Sequence, residues 1–380
     1  MASPTPCAVY IHVPFCTRRC DYCDFVSEAL PLGAPDSRLE RYLAAVCAEI
    51  TASEPRPASS VYFGGGTPTR LGAERLLTIL ATLRGHGGIL SDAEVTVEAN
   101  PTLAEADGFA RLRAGGVNRL SLGVQSFDDR RLRALGRTHD AAQAEHALRL
   151  ARGAGFNNLS LDLMFALPGQ TRAAWRATLE RAVALAPEHL SLYSLTIEEG
   201  TPLAARVVAG AVRPVSNATD AAMFETAIAT LTAAGWEHYE ISNFARPGRR
   251  GAHNQVYWRN EEYRGYGPGA ASYLARRRWT NLADLDGYGA AVQAGAPPVA
   301  TAEERDEEGE RRETMFLGLR LLAGVARQWY ADRYGAPPEA FFGAELARLV
   351  ARGVVAGEAG CWRLTPAGLL LANQVFMEFV

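Results

Sequence analysis

"FCTRRCDYCDF", residues 15–25, places Cys16, Cys20 and Cys23 within eight positions in a C-x₃-C-x₂-C spacing, and no fourth cysteine follows. A structural zinc site takes four ligands, most often as two C-x₂-C pairs. No second pair exists, which leaves Cys7 or His12 to complete such a site. A cubane 4Fe–4S cluster instead takes one thiolate per iron. Three cysteines then leave one iron open to a ligand from outside the protein, carrying N and O donors. Arg18 and Arg19 lie between the thiolates and offset cluster charge. The other cysteines read as structural: Cys47 shares a helical face with Leu39, Leu43, Val46 and Ile50, and Cys361 sits far away in "GCWRLT".

The cluster motif follows "YIHVP", so it sits at the end of a first strand. Further strand signals are "SVYFGG", "EVTVEA", "RLSLGV", "NLSLDLMF", "LSLYSLT" and "EHYEISNF". Amphipathic stretches fall between most of them: 75–83, 103–113, 142–151 and 175–185. This alternation predicts an α/β fold with a parallel sheet and covering helices, a partial (β/α) barrel over residues 1–245. "RAGGVNRLSLGV" at 113 returns loosely as "RGAGFNNLSLDL" at 152, as repeated βα units would. "FGGGTPT", "EANP", "GVQSF" and "DLMFALPGQT" each follow a strand. Strand C-terminal ends are where such barrels bind ligands, and turns alone do not explain Glu98, Gln125 and Asp162 occurring there together. His12 and His238, in strand-like contexts, read as hydrogen-bonded core residues.

Residues 246–300 are rich in Gly, Arg and Tyr without a clear period, and the charge run at 303–313 reads as a solvated helix face or linker. Residues 301–380 read as helix, hairpin and helix, a smaller winged-helix-like domain. Its candidate second helix lacks a basic stripe, which argues against DNA binding.

The 380 residues carry a net charge of -3, which also argues against a partner held by bulk electrostatics such as nucleic acid. All 39 basic residues are Arg. With no lysine, Schiff-base chemistry, pyridoxal phosphate anchoring and a P-loop lysine are excluded. No apolar run reaches the length of a membrane helix and no secretory signal is apparent, so a cytoplasmic location is expected.

The pairing of C-x₃-C-x₂-C after a first strand with "GGGTP" is identified as the signature of radical S-adenosylmethionine (SAM) proteins. The resemblance implies that the amino and carboxylate groups of SAM chelate the open iron, and that the reduced cluster cleaves SAM to a 5′-deoxyadenosyl radical. "YIHVPFC", "YFGGGTPT", "VEANP", "LSLGVQSF", "LGRTH" and "LDLMFALPGQT" narrow it to the group related to oxygen-independent coproporphyrinogen III oxidase. Carried over motif by motif, Cys16, Cys20 and Cys23 bind the 4Fe–4S cluster. Tyr10, Tyr22, Gly65, Gly66, Thr67, Glu98, Gln125, Arg137, Asp162 and Thr196 line the SAM site.

The oxidases of this group carry a further cysteine two positions after the third, where this chain has Phe25. The "CDF" ending resembles the HemW-type heme chaperones. "HNQVYW", residues 253–258, is similar to their H-N-x-x-Y-W element, which implies heme contacts by His253, Tyr257 and Trp258. Imidazole is a common axial ligand, and the aromatic pair offers flat apolar surface. Ala271 stands where relatives often carry a histidine, so no ligand role transfers to it. The expectation is therefore a heme chaperone delivering heme to acceptor hemoproteins, respiratory ones at the membrane among them. Oxidative decarboxylation of coproporphyrinogen III is the alternative. Homodimerisation is left open.

Overall fold

In a computed structural model describing residues 5–380, a twelve-stranded sheet organises most of the chain. Its first six strands are β1 Cys7–Val13, β2 Ala58–Gly65, β3 Ile89–Ala99, β4 Arg119–Gln125, β5 Leu159–Phe165 and β6 His189–Ser194. They pair in chain order and all in parallel. The crossovers include helices Ser37–Ala52, Ala73–His86, Ala106–Ala114, Ala141–Gly153 and Arg172–Leu185.

Side chains alternate along each strand, and the two faces differ in chemistry. Val61 and Phe63, Val95 and Val97, Leu120 and Leu122, Leu161 and Leu163, and Leu190 and Leu192 are buried in the main core beneath the helices. The opposite parity carries Ser60, Tyr62, Glu94, Thr96, Glu98, Arg119, Ser121, Ser160, Asp162, His189 and Ser191. Barrels of this kind usually fill their interior with branched apolar side chains. Here that interior is polar, which prepares it for a polar ligand.

"EHYEISNF" forms two short strands, β7 Glu237–Glu240 and β8 Asn243–Ala245, rather than one. Strand β8 lies between β6 and β7 and pairs antiparallel with each. Residues 246–300 do not form a segment apart. After a helix over Ala252–Trp258 they supply β9 Tyr263–Tyr266, β10 Ala271–Leu274 and β11 Arg277–Asn281, and β12 Val299–Glu304 follows. Strand β9 lies parallel to β1, so the sheet order is β12-β11-β10-β9-β1-β2-β3-β4-β5-β6-β8-β7. The sheet thus continues four residues past the boundary expected at 300. Edge strands written in Arg and Glu carry no apolar alternation to read.

The 303–313 charge run is not a solvated face throughout. It spans the end of β12 and the start of helix Glu307–Gly318, in which Glu310 and Glu313 are buried. Glu310 pairs with Arg276 at 2.8 Å and Arg333 at 2.7 Å, and Glu313 pairs with Arg278 at 3.1 Å. These ion pairs join the sheet to a second core, in which Met315, Leu319, Tyr330, Phe342, Leu346, Val375 and Phe379 pack together. That unit holds helix Pro338–Ala351, a hairpin of Val355–Glu358 with Cys361–Leu364, and helices Pro366–Leu370 and Ala372–Phe376. The order is winged-helix-like.

Candidate cofactor site

A pocket of about 450 Å³ opens where the parallel strands end. Its lining brings together Cys16, Cys20, Tyr22, Cys23, Gly65, Gly66, Thr67, Glu98, Gln125, Arg137, Asp162 and Thr196. Tyr10 lies one layer behind, its ring near Tyr62 and its hydroxyl 3.0 Å from His12 Nδ1.

The cysteine loop is tied down at both ends. Phe15–Cys16 pairs with Glu28–Ala29, and Thr67 donates its amide to the Phe15 carbonyl at 2.7 Å. Thr67 Oγ1 lies 3.6 Å from Cys16 Sγ, and Arg137 Nη1 lies 3.5 Å from Cys20 Sγ. Burial pushes the Cys16 thiol up, against Thr67 and Arg137, and the Cys23 thiol up, against the Phe25 backbone. Among the described residues no three His, Cys, Asp or Glu groups converge on a single metal ion. The loop offers three thiolates, and a cubane takes one thiolate per iron.

The glycines of "GGGTP" have a cause inside the fold. Gly65 has φ +106°, and a Cβ there would fall 2.6 Å from the His12 ring. At Gly66 a Cβ would meet the Phe15 carbonyl oxygen at 2.8 Å, directly behind the cysteine loop. Gly66→Ala is therefore expected to cost about 1–3 kcal/mol in denaturant unfolding and to lower iron incorporation. Unchanged stability and iron content would refute that reading.

Deeper in, charge dominates. Glu98 accepts from the Tyr62 hydroxyl at 2.7 Å, and burial pushes its carboxyl up to about 7. Asp162 accepts from Ser121 Oγ at 3.0 Å and is raised by burial as well. Arg119, its side chain only 4% exposed, stands 3.9 Å from Glu94. Among the described residues its Nε has no hydrogen-bond partner. Glu98 and Asp162 are brought together on this floor with Arg119 beside them, and a carboxylate there suits a cationic ligand such as a sulfonium. Arg119→Leu leaves these acids without their counter-charge and is expected to cost about 3–5 kcal/mol, measured as a shift of the urea unfolding midpoint. An unchanged midpoint would show that the acids are neutral.

On the opposite wall, Arg137 Nη2 donates to the Gly123 carbonyl at 2.5 Å. The register of β4 slips between Gly123 and Gln125, and Gln125 adopts φ 64°. A non-glycine residue held there is strained, and the strain turns Gln125 into the pocket.

The "HNQVYW" element departs from expectation. It is a helix, Ala252–Trp258, seated against the base of the barrel, with its Ala252 and His253 amides donating to Glu94. His253 is 1% exposed, with Nδ1 2.8 Å from Ser60 Oγ and Nε2 2.8 Å from the Tyr257 hydroxyl. Both ring nitrogens are engaged, so neither is offered to an iron in this arrangement. Burial holds the imidazole down at about 3, hence neutral. Trp258 lies beneath the Arg320 guanidinium, 4.2 Å from the ring centroid. None of these three lines the pocket, whereas Asn254 does.

Sequence reasoning passed over Tyr62, Arg119, Ser121, Ser191, Tyr193 and Asn254, which also line it. The signal was present: Arg119, Ser121 and Gln125 on one face of "RLSLGVQ" mark an interior that is not packed with apolar groups.

The comparisons agree with this geometry. Residues 10–182 match the Radical SAM superfamily and residues 306–371 the HemN C-terminal domain. Heme chaperone HemW of Bacillus subtilis is 35% identical over 374 residues, covering 98% of this chain and 99% of its own length. Heme chaperone HemW of Escherichia coli is 34% identical, with 100% of both chains covered. Among solved structures, the coproporphyrinogen III oxidase HemN of Escherichia coli, a radical SAM enzyme, superposes with a TM-score of 0.85. It is 25% identical over 99% of this chain and 90% of that one. Cysteine loop, partial barrel and C-terminal unit are thus those of a known lineage, and the chain belongs to the HemW family of radical SAM proteins.

Proposed function

We propose that this chain is a heme chaperone: it binds heme and passes it to acceptor hemoproteins, those of the respiratory membrane among them, while carrying a 4Fe–4S cluster and SAM. The observation that carries the reading is full-length similarity to proteins named heme chaperone HemW, together with Phe25 where the oxidases have a further cysteine. Phe25 is 62% exposed at the pocket mouth and presents an apolar ring beside the cluster loop.

Cys16, Cys20 and Cys23 hold the cluster, which when bound supplies an electron and an open iron for SAM. The chain's own groups do the rest. Glu98 faces the cationic end of SAM, and Asp162 and Gln125 offer acceptors and donors for its ribose and base. Arg137 ties the Cys20 thiolate to the Gly123 carbonyl. For heme, Tyr257 and Trp258 keep partial exposure, whereas His253 reaches an iron only by giving up one of its two ring hydrogen bonds.

The test is an anaerobic absorption titration of cluster-loaded protein with heme. Saturable binding near one heme per chain supports the chaperone. Absence of specific binding overturns it, and vinyl product from coproporphyrinogen III with SAM and reductant would establish the oxidase instead.

A further inference from the structure

Two chains of the same composition cross the base of the barrel. In one, Ser160 Oγ meets His189 Nδ1 at 2.8 Å and His189 Nε2 meets the Tyr239 hydroxyl at 2.9 Å. In the other, Ser60 Oγ, His253 and the Tyr257 hydroxyl are joined by two contacts of 2.8 Å. Both histidines are almost wholly buried and neutral, and each is fixed at both nitrogens.

They differ in what lies above. His189 packs edge-on against Tyr239. His253 lies flat against Tyr62, with ring centroids 5.1 Å apart and planes 25° apart. Tyr62 in turn is the hydroxyl donor to Glu98, at 2.7 Å. Tyr10 stands near the same ring, with centroids 6.3 Å apart. Among the described residues the Tyr62 hydroxyl has one hydrogen-bond partner, the pocket carboxylate.

We propose that His253 is a positioning residue for SAM binding: pinned by Ser60 and Tyr257, it forms the flat seat that holds Tyr62, and Tyr62 aims Glu98 into the pocket. The inference rests on the SAM reading given above. It makes the 252–258 helix part of the SAM site from beneath, with Asn254 as its one side chain in the pocket. A hydrogen bond to a charged group aligned this way is worth enough for its loss to weaken binding about tenfold or more.

The experiment measures SAM affinity by equilibrium dialysis on cluster-loaded protein with equal iron content in every variant. Tyr62→Phe is expected to bind SAM about tenfold more weakly. His253→Ala, which removes the seat, is expected to approach the same loss, and His253→Phe, which keeps a flat ring, to recover part of it. In the Tyr62→Phe background His253→Ala should add little, because the two act through one carboxylate. His189→Phe breaks the sister chain and serves as the control: it destabilises the fold yet should leave SAM affinity within about twofold. If His253→Ala and His189→Phe weaken SAM alike, or if the losses from Tyr62 and His253 simply add, the positioning role is wrong. Should His253→Ala fail to fold, Tyr257→Phe and Ser60→Ala each remove one pin, and wild-type affinity in both would overturn the proposal. No SAM binding by the wild-type protein would instead overturn the underlying SAM reading.

Discussion

Cys20→Ala is expected to bring iron and acid-labile sulfide in anaerobically reconstituted protein down to background. Cys47→Ala should leave both unchanged. Both residues are partly exposed free cysteines, so exposure alone does not separate them. Their surroundings do. Cys20 lines the pocket, and the half-buried Arg137 guanidinium stands 3.5 Å from its sulfur. Cys47 sits on helix Ser37–Ala52, where its sulfur accepts from Thr82 at 3.4 Å and burial raises its thiol. A cubane held by three thiolates loses a whole corner when one is removed, so the effect is all or nothing rather than graded. Full iron content in Cys20→Ala would remove the cluster assignment and the SAM site built on it. A matching loss in Cys47→Ala would mean that the loop is merely fragile.

The parallel half of the fold was legible because its strands are buried on the helix face and polar on the other, so each segment carries its own period. "RLSLGVQ" and "LSLDLMF" read as strands from that alternation alone. The region after residue 245 was not legible for a related reason. β11, "RRWTN", and β12, "VATAEE", gain their place by pairing with neighbours and by ion pairs such as Arg278–Glu313, which leave no pattern along the chain. The pocket was largely written at the strand ends, since Glu98, Gln125 and Asp162 are unusual there. What the sequence hid was the depth of the site. Arg119 looked like one more arginine among 39, and its burial against Glu94 depends on two strands and a helix meeting. The surroundings of His253 were hidden for the same reason: the motif names the residue, but only the fold shows both of its nitrogens hydrogen-bonded.

Glu98 carries the last prediction, because its two roles oppose each other. Its carboxyl is raised from an ordinary 4.5 to about 7, first by burial and then by the nearby Asp162. The Tyr62 hydroxyl, the Gly65 amide and Arg119 offset part of this. In the folded protein the proton therefore stays on between about 4.5 and 7, while in the unfolded chain it leaves at the lower value. The folded state binds more protons across that window, so this group's contribution to stability is full below it and lost as pH rises through 7. The loss amounts to about 3 kcal/mol. Glu98→Gln removes it, so the variant is expected to be more stable than the wild type above pH 7 by up to that amount and to converge with it at low pH. SAM binding should move the other way. A cationic ligand needs the ionised carboxylate, so the wild type should lose affinity about tenfold per pH unit below 7 and release a proton on binding. Glu98→Gln should bind at least about tenfold more weakly than the wild type at high pH, with a flat pH profile. Urea unfolding and SAM titration at pH values on either side of 7 separate the two effects. A wild-type affinity independent of pH would mean that Glu98 does not meet the charge of SAM. A site that holds a cation keeps a carboxylate ready against the cost of its own desolvation, and the fold bears that cost until the ligand arrives.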